Sequence, residues 1–339
     1  MSRSVFVTGA YGLLGSWLVK GLLARDDRVT VLKRTAARPS ALSLEGTETS
    51  CTVVSGDLTD AALMAYVIAT HQIDTVFHLA AQPIIQTAHR SPVPTFESNI
   101  RGTWILLEAC RAHGVERVVA AASVQAYGRH ATLPYREDFV LQPQFPYDVS
   151  KAATDLITRS YFHSYGLPVA VTRFANVYGG GDLNRSRLIP EAIAAVLAGR
   201  PPVIRSDGSP ERDFLYVEDA AAAYLALADG LDRPDGGVRG EAFNAGGERP
   251  YSVREIVELV CRVAGTGVEI DVRGSGPATG EIDRYYVDSS RLRELTGWRP
   301  QVDLQEGLRR TIEWYRTYPE ALEPRDRPRT AGRSASSAG

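Results

Sequence analysis

SVFVTGAYGLLG, residues 4–15, is the stretch on which the reading of this chain turns. Ser4 to Thr8 form a short apolar run of strand type. Gly9, Gly12 and Gly15 follow at intervals of three, and the last lies inside a helical pattern running from Leu13 to Arg25. Glycines in that register have separate uses. Gly9 permits the tight turn, Gly12 lets a pyrophosphate approach the backbone, Gly15 allows close packing of helix on sheet, and the unpaired N–H groups of the helix start bind phosphate. A plain Gly-rich turn is the bland alternative, but it has no need of this spacing between these two elements. The expectation is a dinucleotide site, with Tyr11, Leu13 and Leu14 sharing its loop.

The same alternation continues outward. Arg28 to Leu32, Thr52 to Val54, Thr75 to Leu79, Arg117 to Ala122 and Val169 to Thr172 read as strands, and 61–70, 95–113 and 149–165 as helices. Strands that are apolar nearly throughout and alternate with helices predict an α/β fold, a Rossmann-type doubly wound parallel sheet covered on both faces. Ligands then bind at the C-terminal ends of the strands. After Asn176 the rhythm loosens into helices at 188–197, 218–229, 253–264 and 304–315, separated by loops such as Gly179-Gly180-Gly181. We therefore expect residues 1–175 to be mainly the dinucleotide-binding domain. Residues 176–323 would be mainly a smaller substrate-binding lobe, with strands near Val217 and Phe243 returning to the first sheet. The stretch 324–339, almost devoid of apolar residues, is expected to be disordered.

Composition limits the class of ligand. The 339 residues are 44% hydrophobic and 23% charged, as in ordinary globular proteins, which excludes a disordered chain or a coiled coil. With 38 basic against 40 acidic residues, no charge excess calls for a nucleic acid or a membrane surface, so a small molecule is the expected partner. Cys51, Cys110 and Cys261 lie far apart, which fits neither a paired-thiolate metal site nor a disulfide framework. No apolar run nears the roughly 18 residues of a spanning helix, and a cytoplasmic location is expected. Lys20, Lys33 and Lys151 are the only lysines among the 38 basic residues. Such a bias suggests that they occupy positions where arginine would not serve.

Two of those lysines fall on candidate chemistry. At the end of the second strand, where an acidic residue normally meets the adenosine ribose, stand Lys33 and Arg34. They suit a 2′-phosphate, or else stack beside the adenine or point to water. Asp57 follows the third strand, placed either to meet an adenine edge or to cap the next helix. Tyr147 and Lys151 are four apart in PYDVSK, one helical turn apart on one face. Chance alone would give roughly 0.13 such pairs in a chain with this many tyrosines and lysines. An ammonium beside a phenol favours the phenolate and would make Tyr147 a base near neutral pH. Ser123, ending the 117–122 strand, would lie beside it and could hydrogen-bond a hydroxyl being oxidised.

Together, TGAYGLLG, HLAAQ at 78–82, ESNIRGT at 97–103, Ser123 with YG at 127–128, PYDVSK at 146–151, RFANVYG at 173–179 and RDFLYVEDA at 212–220 resemble an extended short-chain dehydrogenase/reductase of the sugar-nucleotide epimerase/dehydratase family. Within it, GSWL at 15–18, AAQPII at 80–85 and GGGDLNRSRLIP at 179–190 are most similar to CDP-glucose 4,6-dehydratases. The resemblance implies a catalytic trio of Ser123, Tyr147 and Lys151. It implies a cofactor lined by Asp57, Leu58, Leu79, Ala80 and Ala81, with Phe174 and Val177 at the nicotinamide. It also implies a nucleotide-diphosphate sugar contacted by Gln82, Ser123, Gln125, Asn176, Arg187, Leu188, Arg212 and Glu281. The cofactor it implies is NAD, whereas Lys33 and Arg34 pull toward NADP. Two departures stand out. Ala278 replaces an arginine that often precedes the acidic residue near 281, leaving Arg284 as a substitute to be tested. Val124-Gln125 stands where related dehydratases carry an Asp-Glu or Asp-Lys pair.

The expected activity is conversion of a nucleotide sugar through a 4-keto intermediate, by 4-epimerisation in preference to 4,6-dehydration. A non-catalytic dinucleotide sensor would not need the intact trio. A homodimer is expected through the 95–113 and 149–165 helices, whose outer positions, including Ile105, Leu106, Ile157 and Tyr161, look too apolar for a solvated face.

Overall fold

The computed structural model describes residues 2–34, 40–247, 249–276 and 283–322. Its strands are β1 (Ser4–Thr8), β2 (Arg28–Lys33), β3 (Thr52–Ser55), β4 (Thr75–His78), β5 (Arg117–Ala121), β6 (Val169–Phe174), β7 (Asn176–Tyr178), β8 (Val203–Ile204), β9 (Glu211–Tyr216), β10 (Glu241–Ala245), β11 (Pro250–Ser252), β12 (Asp271–Val272) and β13 (Arg284–Tyr285). Seven of them form one parallel sheet in the order β10-β6-β5-β4-β1-β2-β3. The order reverses between β1 and β4, so a crevice opens at the C-terminal ends of those two strands, where such sheets take their ligands.

Both faces of the sheet are covered. On one, Leu18, Val19 and Leu22 of helix Leu13–Leu23 pack with Ala220, Tyr224 and Leu227 of helix Val217–Gly230. On the other, Met64 and Val67 of helix Ala61–Thr70 meet Leu106, Leu107 and Cys110 of helix Gly102–Ala112, with Ile157 and Tyr161 of helix Pro146–Tyr165 against them. Leu106 is therefore fully buried within the chain, not on an outer face as its position suggested. Ile105, Ile157 and Tyr161 also pack partly against that core. The large apolar residues that remain exposed on these two helices include Trp104, Val149 and Leu156.

The second half builds its own core from Ile189, Ile193, Ile256, Val260, Leu308 and Ile312. Phe243 does return to the first sheet, since β10 pairs with β6, but Val217 does not. Val217 starts a helix, and the strand before it, β9, joins β7, β11 and β13 in a small separate sheet. Glu218 and Asp219 explain the switch, because acidic residues in a first turn complement the helix dipole. The last helix, Leu304–Thr317, is tied to the first half: Trp314 Nε1 donates to Glu45 at 2.6 Å, and Lys20 pairs with the same carboxylate at 2.8 Å. No helix among the described residues is long and apolar enough to cross a membrane.

Candidate active site

The glycine loop joins β1 to helix Leu13–Leu23. Gly9 has φ +78°, and a Cβ there would lie 2.6 Å from the backbone of Leu79 and Ala80, which follow β4. A Cβ on Gly15 would come within 2.2 Å of the Gly9 carbonyl oxygen, so the helix start can sit this close only without a side chain. At Gly12 the nearest neighbour that a Cβ would meet is the Gly9 oxygen at 3.3 Å, leaving the space before the helix clear. Gly12 also caps that helix without a side-chain hydrogen bond, so the first N–H groups stay available to a phosphate. The loop fits a dinucleotide pyrophosphate on these grounds. Leu13 and Leu14 pack their side chains into the cores, so any contact they make with phosphate comes from their backbone.

Other expected cofactor residues divide by what their side chains already do. Leu79, Ala80 and Ala81 are half-buried in the loop after β4, and Phe174 ends β6 with its ring 5.2 Å from that of Tyr224. Val177 is half-buried in β7. Leu58 is buried beneath Gly102, so its side chain belongs to the core. Asp57 does not cap the helix, for Asp60 does so by accepting from Leu63 N at 3.0 Å. Asp57 instead accepts from the N–H and hydroxyl of Thr59 at 2.9 and 2.7 Å, and these bonds hold its carboxyl below the usual range. Lys33 donates to Glu48 at 2.5 Å, while Arg34 is exposed.

Ser123, Tyr147 and Lys151 converge at the end of β5. Ser123 caps a short turn, its Oγ accepting from Gln125 N at 3.2 Å. Pro146 opens the long helix without needing an N–H, which sets Tyr147 and Lys151 one turn apart in its first turns. Burial pushes the Tyr147 phenol up, and Arg187 and the Ser123 hydroxyl pull it back down. Arg187 is a cation that acts on the phenol and that the sequence reading had assigned only to the substrate. Lys151 is 5% exposed, its Nζ donates to the Ala121 carbonyl oxygen at 2.8 Å, and burial lowers its pKa to about 8.

Around this trio the expected substrate residues fare differently. Asn176 and Tyr285 exchange hydrogen bonds at 2.8 and 3.0 Å, and the Arg212 guanidinium lies 5.0 Å from the Tyr285 ring. Arg212 also donates to the carbonyls of Glu211 and Asp283, both at 3.0 Å. Arg187 pairs with Asp182 at 3.1 Å and caps the helix whose first residue, Leu188, packs into the second core. Gln82 is spent on the chain itself: its amide donates to Ile84 O and Thr95 Oγ1 and accepts from Ile84 N. Its role is to shape the loop after β4, because both N–H groups already have partners. Gln125 is half-buried beside Ser123. Glu281 and Ala278 lie outside the described residues, and Arg284 is paired with Glu211 at 2.5 Å.

Three residues here escaped the sequence reading. Tyr285 stands close enough to Tyr147 to act on its ionisation, and Asp148 does the same from the next position in the helix. Glu48 meets both Lys33 and Tyr11. Of the three only Asp148, inside PYDVSK, lay within a motif that had been singled out.

Comparison with known proteins adds to this geometry. The model of the NAD dependent epimerase/dehydratase family matches residues 5–246. A trifunctional UDP-glucose 4,6-dehydratase/UDP-4-keto-6-deoxy-D-glucose 3,5-epimerase/UDP-4-keto-L-rhamnose-reductase of Arabidopsis thaliana is 30% identical over 94% of this chain and 48% of its own length. The chain thus spans about half the length of the first curated relatives it matches. Among solved structures, UDP-glucose 4-epimerase from Thermotoga maritima superposes with a TM-score of 0.85 at 28% identity, covering 93% of this chain and 99% of that one. The dTDP-glucose 4,6-dehydratase of Streptomyces venezuelae, solved with NAD bound, gives 0.83 at 30% identity, covering 94% and 99%. A phosphate-ready glycine loop, a tyrosine and lysine one turn apart, and a match over most of the sheet meet in a single assignment: the chain belongs to the NAD-dependent epimerase/dehydratase family, enzymes that act on nucleotide sugars with NAD as cofactor.

Proposed function

We propose that this chain epimerises a nucleotide-diphosphate sugar at carbon 4 through a 4-keto intermediate. Held over the 9–15 loop, NAD would supply the hydride acceptor and donor for carbon 4. Tyr147 accepts the proton of the 4-hydroxyl and later gives it back; Ser123 orients the 4-oxygen; Lys151 holds the nicotinamide ribose. Asn176, Arg187, Arg212 and Tyr285 hold the nucleotide diphosphate. Returning the hydride to the opposite face of the turned sugar inverts carbon 4 with no net gain or loss of atoms.

Val124 carries the choice of reaction. Losing water across carbons 5 and 6 needs a base at carbon 5 and an acid for the departing hydroxyl. Val124, at the position after Ser123, is 3% exposed and packs with Tyr127, Tyr135 and Tyr285, and the neutral amide of Gln125 does not exchange protons near neutral pH. His130 and Glu137, the other candidates in this region, are engaged elsewhere. The His130 ring nitrogen bonds the carbonyls of Tyr127 and Val140 at 3.1 and 3.0 Å, and the Glu137 carboxylate accepts from Asn244 N at 2.8 Å.

One observation favours dehydration as the second reading. Asp148 is 6% exposed, accepts no hydrogen bond among the described residues, and burial raises its pKa to about 6, in the range of a general acid. The resemblance to CDP-glucose 4,6-dehydratases points the same way. The deciding experiment is turnover of the nucleotide sugar, found by screening a panel, in deuterated water with NMR of the product. We expect an inverted carbon 4, oxygen retained at carbon 6 and no deuterium at carbon 5. A new methyl signal with deuterium at carbon 5 would overturn epimerisation and make Asp148 the acid to test.

We also infer a homodimer through the outer faces of the Gly102–Ala112 and Pro146–Tyr165 helices, where Trp104 and Leu156 are 44% and 58% exposed. Light scattering at micromolar concentration is expected to give twice the chain mass, and a monomer would reject this.

A further inference from the structure

Lys33 ends β2 where a dinucleotide fold presents a side chain to the adenosine ribose, and Arg34 follows it. By charge the pair would suit a 2′-phosphate. The fold, however, delivers a carboxylate to the same spot from fifteen residues downstream. Glu48 lies in the short turn Thr47–Ser50 that precedes β3. Its Oε1 accepts from Lys33 Nζ at 2.5 Å and from the Tyr11 hydroxyl at 2.8 Å. Tyr11 stands between the first two glycines of the phosphate loop, and the Lys33 ammonium sits 5.2 Å from its ring centroid. The three side chains thus form one cluster joining the loop after β1, the end of β2 and the turn before β3.

The charges in this cluster cancel. The hydrogen bond from Lys33 is the largest influence on Glu48 and holds its carboxyl below the usual range, so the group is ionised at neutral pH. Arg34 in turn lies near enough to Asp57 to lower that carboxyl. Each cation at the end of β2 therefore has a carboxylate near it, and the sequence's apparent excess of positive charge is absent. Among the described residues Glu48 Oε2 takes no hydrogen bond, which leaves an ionised acceptor on the same group.

We propose that Glu48 is the residue that selects NAD over NADP. Its Oε2 accepts from a ribose 2′-hydroxyl, a bond that a 2′-phosphate cannot donate at neutral pH, and its charge repels the phosphate that Lys33 would otherwise attract. Lys33 acts as a positioning residue that fixes the carboxylate. The side chains of Lys33 and Glu48 are 27% and 21% exposed, so solvent screens the repulsion and the selection is expected to be tens-fold. The proposal rests on the family's cofactor lying over this glycine loop.

The test is a competition that needs no turnover. Purified protein is equilibrated with equal NAD and NADP and passed through a desalting column, and the retained cofactors are extracted and quantified by mass spectrometry. Wild type is expected to retain NAD at least tenfold over NADP. Glu48→Gln keeps the shape and the Tyr11 contact but removes the charge, and it is expected to shift the ratio toward NADP by about tenfold or more. Circular dichroism melts of both proteins accompany the measurement, and Glu48→Asp, which keeps the charge, is expected to hold the preference for NAD. An unchanged ratio in Glu48→Gln with NAD still retained would overturn the role of Glu48 and leave the cofactor site standing. Predominant retention of NADP by wild type would overturn it as well.

Discussion

Tyr147→Phe is expected to lower turnover by roughly 10²–10⁴ while leaving the melting curve and the amount of retained NAD close to wild type. The substitution removes one oxygen from a half-buried ring and little of its packing. What disappears is the group proposed to take the proton from the 4-hydroxyl. Neither neighbour can replace it: Ser123 is a weaker acid than a phenol by several orders of magnitude, and the Lys151 ammonium donates to Ala121. Because burial raises the Tyr147 phenol above its ordinary value, it is almost wholly protonated near neutrality, so the wild-type rate is expected to climb as pH rises into the alkaline range. The climb should vanish with the hydroxyl. Turnover of Tyr147→Phe near the wild-type rate, or an unaltered pH profile, would show that another group is the base.

The second large effect concerns stability. Arg173 in β6 and Asp155 in the long helix are 2% and 0% exposed, and they meet through two hydrogen bonds of 2.7 and 3.1 Å. The same guanidinium donates to the Tyr127 hydroxyl and the Glu137 carbonyl, each at 3.1 Å, and Tyr127 in turn donates to Asn244 in β10 at 2.8 Å. The network joins two sheet strands, the long helix Pro146–Tyr165 and the segment after Ser123. Asp155→Ala leaves a buried guanidinium without its counter-ion and is expected to cost about 3–5 kcal/mol, read from urea denaturation. Taking both charges away in Asp155→Leu/Arg173→Met should cost less than the single change, since no unpaired charge then remains buried. A loss under about 1 kcal/mol for Asp155→Ala would mean that the pair contributes no more than a surface bridge.

Features written in neighbouring residues were readable in advance. The Gly9, Gly12 and Gly15 spacing, the alternation of strand and helix, and the Tyr147–Lys151 pair depend on chain positions within one or two turns of each other. Val217 was misread because β9 runs into a helix with no turn residues between them, and an apolar stretch shows no boundary by pattern alone. Leu106 was placed outward because helical periodicity does not say which apolar stripe meets the sheet. Lys33 looked like a free cation because its partner arrives through the third dimension. Gln82 looked available because its bonds to Thr95 and Ile84 depend on how the following loop folds back.

The place of β10 at the sheet's edge carries a consequence for how the chain is made. β6 ends at Phe174, yet the strand that covers its free side is not complete until Ala245. Roughly seventy residues separate them, which a ribosome adding about 5–20 residues per second needs several seconds to supply. Throughout that interval a nascent sheet holds out an open row of N–H and C=O groups, and the Tyr127 hydroxyl waits for the Asn244 oxygen to which it will donate. The seven-stranded sheet is thus not a unit that closes when the residues up to Phe174 have emerged. Its last strand is stored in the second half of the chain, and neither half can be finished first.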